Sequence, residues 1–155
     1  MERTELQNYL TENFEGLEFG EDTTQYLTIT VPKEKLREFM FFLRDAKELA
    51  FDFMVSLTAV DWFPKNFGVV YHLESTKYRH LISVHVNTGN REDDITIDTV
   101  SDIYPTANFH EREAYDLMGI IFKGHPDLRR LFLTDDWVGH PLRKDYVDEA
   151  NMIIK

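Results

Sequence analysis

Cysteine is absent from the 155 residues, which removes disulfides, thiolate ligands for zinc or iron–sulfur clusters, and a thiol nucleophile. Long apolar runs are absent too: the clusters near Phe39 to Leu43 and Phe53 to Val60 fall far short of the ~20 residues a membrane-spanning helix needs. The polar, acidic opening Met-Glu-Arg-Thr-Glu leads into no apolar leader, so the expectation is a soluble protein on the cytoplasmic side, reaching a membrane only through a partner. Basic residues are scarce, 17 against 28 acidic, and the net charge of −11 repels nucleic-acid backbones and anionic lipid. No P-loop, no G-x-G-x-x-G after a strand, no G-x-S-x-G elbow and no H-E-x-x-H is found.

With 43% apolar and 14% aromatic residues, there is material for one compact core. Charge is unevenly placed, because residues 1–107 carry 10 basic and 19 acidic side chains whereas 108–155 carry 7 and 9. The last third therefore presents a different electrical surface.

Leu6, Tyr9, Leu10 and Asn13 fall near helical spacing and predict a short amphipathic helix over 4–13. Residues 25–31 alternate Tyr26, Thr28, Thr30 against Leu27, Ile29, Val31, a strand pattern. Pro32 opens a stronger helix in which Leu36, Phe39, Met40 and Leu43 recur on one face to about Glu48. The runs 51–61, 67–75 and 80–87, separated by short turns, predict an antiparallel meander, with His80, Ile82, Val84 and Val86 on one face of the third. Asp98 is placed to cap a single helical turn before Pro105, and Asn108 with Glu111 makes a capping-box pattern for a helix ending at Gly119. The fold class expected is α+β: a mainly antiparallel sheet covered by helices on one side (1–119), then an extended irregular C-terminal tail (120–155). That tail holds Ile120, Ile121, Phe122, Leu131, Phe132, Leu133 and Trp137, which need a surface to bury them.

Two Gly-His-Pro turns, at Gly124 to Pro126 and Gly139 to Pro141, are followed by Arg129, Arg130 and Arg143. One role for these arginines is to pair with Glu111, Glu113, Asp116, Asp135 and Asp136 and tie the tail to the domain. The other is to dock on a partner protein. A divalent-metal hydrolase built on His110, Glu111, His125 and His140 is chemically conceivable, although both later histidines are explained by their proline turns. An independent interaction module with an acidic sheet surface is a third possibility.

The stretch Glu111-Arg-Glu-Ala-Tyr-Asp-Leu-Met-Gly119, then Phe122-Lys-Gly-His-Pro-Asp-Leu-Arg-Arg130, then Asp136-Trp-Val-Gly-His-Pro-Leu-Arg-Lys-Asp-Tyr146, resembles the 30 kDa subunit family of respiratory complex I, the C subunit of the NADH:quinone oxidoreductase. Three phrases in order over some forty residues make the match specific, and the strand end Leu57-Thr-Ala-Val-Asp-Trp62 is similar in layout. The resemblance implies a peripheral-arm subunit at the cytoplasmic face of the inner (plasma) membrane, with no catalytic residue, metal or cofactor of its own. Flavin and iron–sulfur clusters are then expected on partner subunits. It further implies that the tail wraps onto the complex's D subunit, which together with the B subunit frames the quinone site. Glu111, Arg112, Glu113, Phe122, His125, Arg129, Arg130, Trp137, His140, Arg143 and Lys144 become the expected docking residues, and the tail is expected to be ordered by its partner. Related subunits occur in membrane-bound, energy-converting hydrogenases, so the equivalent subunit of such a complex is the alternative host.

Overall fold

The computed structural model describes residues 1–21 and 23–148. Helix α1 (Arg3–Asn13) starts at a capping box between Glu2 and Glu5 and buries Leu6 and Leu10. Strands β1 (Glu18–Phe19) and β2 (Leu27–Thr30) follow. After Pro32 comes a 3-10 turn, Lys33–Lys35, that leads into α2 (Leu36–Asp45), whose Leu36, Phe39, Met40 and Leu43 are buried as the spacing predicts. The helix stops at Asp45 rather than Glu48. Ala46 turns extended, and the Phe51 N–H donates to the Leu43 carbonyl, so the chain folds back against the helix end.

Strands β3 (Phe53–Asp61), β4 (Phe67–Glu74) and β5 (Leu81–Asn87) form the expected antiparallel meander. In β5 Ile82, Val84 and Val86 face the core, while His85 lies on the other face beside Ser83 (2.9 Å). The full order is β1-β2-β5-β4-β3, antiparallel except that β2 runs parallel to β5. Local alternation identifies a strand but does not choose its neighbour, and here the α2 crossover carries the chain away before β5 returns beside β2.

Two further strands, β6 (Thr96–Asp98) and β7 (Ile121–Lys123), pair in parallel around helix α3 (Ala107–Met118). Three expectations change here. Asp98 ends β6 instead of capping a turn. The turn is made one residue later, with the Ser101 N–H on Thr99 Oγ1 and the Tyr104 N–H on the Val100 carbonyl. No Asn108–Glu111 capping box forms, because Thr106 precedes α3 and Glu111 is drawn into the core. Nor is the chain irregular throughout beyond residue 119: β7 is regular, and Ile120 and Phe122 are buried in the domain's own core.

Candidate functional site

Helix α3 is the pillar on which the remainder of the chain is hung. Its C-terminus leaves backbone carbonyls without helical partners, and its sequence puts Gly119 at the exit in the left-handed conformation, φ +74°. The exposed carbonyls are satisfied from the tail. Arg130 Nη1 and His140 Nδ1 reach the Asp116 carbonyl (3.1 and 2.9 Å), the Leu142 N–H donates to Leu117 (3.0 Å), and Arg143 Nε donates to Met118 (2.7 Å). Cationic groups at a helix C-terminus also complement its dipole. The second Gly-His-Pro and the residues after it thus act as the cap of α3.

The Asp116 carboxylate, wholly buried, is the inner anchor. One oxygen accepts the N–H groups of Leu131, Phe132 and Leu133 (3.1, 2.7 and 3.0 Å), and the other takes Arg130 Nη1 (2.9 Å). Burial pushes its pKa up, but these donors outweigh burial and hold it below the usual carboxylate range. Arg130 Nη2 continues to the carbonyls of Trp137 and Gly139, both at 3.0 Å. A second anchor lies at the end of β3. Asp61 pairs with Arg91 and accepts the Lys144 N–H (2.8 Å), while Arg91 also meets Asp145 (3.0 Å). Arg91 and Arg143 both lie over the Phe67 ring, at 4.3 and 4.8 Å from its centroid. Burial pushes the Arg143 pKa down, and the neighbouring Arg91 charge adds to that.

Closer to the start of α3, Glu111 is buried with 0% exposure. It accepts the Val100 N–H (2.8 Å) and the Thr99 hydroxyl (2.5 Å), and burial raises its pKa to about 7. The His125 ring, also sealed from solvent, stands 3.8 Å away. Its Nδ1 accepts the Asp127 N–H and its Nε2 lies 3.0 Å from the Asn108 carbonyl, so the proton sits on Nε2.

The structure therefore sorts the expected docking residues. His125, Arg130, His140 and Arg143 turn inward and bind the tail to its own domain, Lys144 does so through its backbone, and Glu111 is buried against Thr99 and Val100 within the domain. Phe122 fills the core at 2% exposure, so its expected burial against a partner gives way to burial at home. Arg112 holds the carbonyls of Arg129 and Arg130, Arg129 pairs with Asp127, and Glu113 is exposed beside a small apolar cleft between β3 and α3. Trp137 is partly exposed and lines a surface hollow with the uncovered Val138 and Val147; Phe132 and Leu142 are uncovered too, Leu142 at the β3–α3 cleft. Of the acidic partners proposed for the arginines, Asp116 pairs with Arg130, whereas among the described residues Glu111, Glu113, Asp135 and Asp136 pair with none of them. The tail over 124–148 is hydrogen-bonded to its own domain through Asp116, Asp61 and the last carbonyls of α3. The hydrolase set does not assemble: His110 accepts the Leu57 N–H, His140 caps α3, and among the described residues no group of three or more metal-ligating side chains converges. Asp61, Arg91 and Thr99 were not singled out from the sequence as site residues; Asp61 stood within the Leu57 to Trp62 stretch, but its partners are thirty and more positions away.

The family model for the respiratory-chain NADH dehydrogenase 30 Kd subunit matches residues 29–151. The chain belongs to this family. Among similar proteins of the 30 Kd kind is the NADH-quinone oxidoreductase C subunit of Geotalea uraniireducens, 51% identical over 77% of this chain and 72% of that protein. The NADH-quinone oxidoreductase C/D protein of Phocaeicola vulgatus is 54% identical over 79% of this chain but only 23% of its own length, so the chain spans about a quarter of that relative. In shape it is similar to a chain of the membrane-bound sulfane sulfur reductase, an archaeal respiratory membrane complex, with TM-score 0.82 and 27% identity, covering 97% of this chain and 88% of that one. No helix among the described residues is long and apolar enough to cross a membrane.

Proposed function

We propose that this 30 Kd family chain is a non-catalytic peripheral-arm subunit of a complex I type NADH:quinone oxidoreductase, supporting electron transfer from NADH to quinone by assembling with the D and B subunits. In this reading the flavin and iron–sulfur clusters belong to those and other partner subunits, and the chain lies at the cytoplasmic face of the inner membrane, held there by the assembled complex.

The observation that carries the reading is the apolar rim on the folded tail. Phe132, Val138, Leu142 and Val147 are each more than half exposed, and Trp137 lines one surface hollow with Val138 and Val147, on a segment whose backbone is fixed by Asp116 and Asp61. A fixed backbone presenting uncovered apolar side chains is the signature of a preformed interface. The C/D relative carries both subunit names in one protein, of which the matched region is 23%. The D subunit is accordingly the partner assigned to it.

The test is a pull-down from native membranes with the whole chain as bait, at low and moderate salt. Recovery of the D and B subunits with NADH:quinone activity supports the assembly. Recovery of a different respiratory complex keeps the docking role and changes the host, whereas a clean monomer at both salt levels overturns the proposal.

A further inference from the structure

Arg37, Arg44, Arg79, Arg91, Arg129 and Arg130 each sit in ion-pairing distance of a carboxylate among the described residues. Arg112 has none among the described residues, although it is only 8% exposed. A guanidinium so far removed from water is ordinarily neutralised by an acid. Asp116, one helical turn on, is committed to Arg130 and the N–H groups of 131–133. Two backbone carbonyls do part of the work: Nε donates to Arg129 (3.3 Å) and Nη2 to Arg130 (3.2 Å), which fixes the plane of the fork. Among the described residues Nη1 has no hydrogen bond, and it is not sealed from solvent.

Around that open nitrogen the surface is unusual for a chain of net charge −11. Phe109, 60% exposed, lies with its ring centroid 5.7 Å from the Arg112 guanidinium carbon. Arg129, whose carbonyl Arg112 holds, is exposed and uses only Nε on Asp127. An immobilised arginine beside an exposed aromatic ring has the composition of an interface hot spot. The apolar ring and the neighbouring acids Glu113 and Asp127 disfavour a polyphosphate or a nucleic-acid backbone. A single protein carboxylate fits, gaining a charge-assisted bond to a donor whose geometry is already set.

We propose that Arg112, with Phe109 and Arg129, receives a carboxylate from an acidic segment of a neighbouring subunit. This rests on the assembly reading above and adds a second contact, distinct from the apolar rim.

A photo-reactive benzoylphenylalanine placed at Phe109 in the full chain, incorporated into the complex and irradiated after purification from native membranes, reads the contact directly. The expected adduct joins another subunit at a peptide with Asp or Glu within a few residues of the cross-linked site, and Arg129→Glu, an exposed substitution, lowers its yield at least about fivefold. Co-purification of the complex with no adduct, an adduct to lipid, an adduct within this chain alone, or one to a peptide lacking acids overturns the carboxylate receptor while leaving the assembly standing. Failure of the unmodified chain to co-purify overturns both.

Discussion

Arg130 and Asp116 are joined twice, Nη1 donating to the Asp116 carboxylate at 2.9 Å and to its backbone carbonyl at 3.1 Å. One guanidinium thereby serves both a buried charge and an uncapped helix end, and the same aspartate gathers the N–H groups of 131–133. Because these bonds share their partners, they fail together.

Asp116→Ala is expected to cost about 3–5 kcal/mol, the range for removing one partner of a buried charged network. Urea denaturation of the chain measures the loss, and hydrogen exchange should show it concentrated over residues 129–143. An Asp116→Ala protein with unchanged midpoint and unchanged protection in that segment would contradict the anchor.

Gly119→Ala combines two penalties. The residue sits at φ +74°, and a methyl group there meets the side chains of Arg143 and His140. The conformational part alone is worth about 1 kcal/mol, and displacing Arg143 uncaps Met118. We expect a loss of roughly 2 kcal/mol or more together with faster exchange at Leu142. Wild-type exchange at Leu142 would show that the cap does not depend on this approach.

Glu111 gives stability a pH dependence whose sign is fixed by its raised pKa. Folded, it titrates at about 7, pushed up from 4.5 by burial, with the nearby Asp102 charge in the same sense and Thr99, Val100 and Arg37 opposing. The folded form favours the proton, so this contribution is complete below pH 4.5 and is lost as pH rises to about 7, on the order of 3 kcal/mol in all. His80, His85 and His140, all lowered chiefly by burial, act in the opposite sense as pH falls below 6.5. The readout is therefore the difference between wild type and Glu111→Gln across pH 4.5–7.5. Parallel stability curves for the two proteins would rule out Glu111 as the titrating group.

Phe132→Ser and Val138→Ser act on exposed side chains, at 66% and 86% exposure. The lone chain should change by less than about 0.5 kcal/mol, while retention of the D subunit in a pull-down falls at least severalfold. Full retention with both substitutions combined would remove the rim from the interface.

Much of this arrangement was readable in the amino-acid order. The Leu36 to Leu43 spacing, the alternation of Ile82, Val84 and Val86 and the stop at Gly119 each report a local periodicity or a local backbone need and each is met, while His80, expected on the same face, lies before β5 and meets the N-terminal amine. The motif phrases around Glu111 to Gly119 and the two Gly-His-Pro turns pointed to the residues that matter. Their direction was not legible. Whether Arg130 faces a partner or Asp116 depends on a fourteen-residue return, and the Asp61–Lys144 bond spans 83 positions. The parallel pairings of β2 with β5 and of β6 with β7 were missed for the same reason, since strand patterning is local and pairing is not.

The capping of α3 by residues that come more than twenty positions later has a consequence for synthesis. A chain emerging from the ribosome only as far as about residue 130 has Arg130 for the Asp116 carbonyl, but its terminal carbonyls at Leu117 and Met118 still face water. Leu142 and Arg143 close them only when they too have left the exit tunnel. Until those residues emerge, the helix end stays open at Leu117 and Met118, and Asp61 holds Arg91 without the Lys144 N–H that later joins the two ends of the domain.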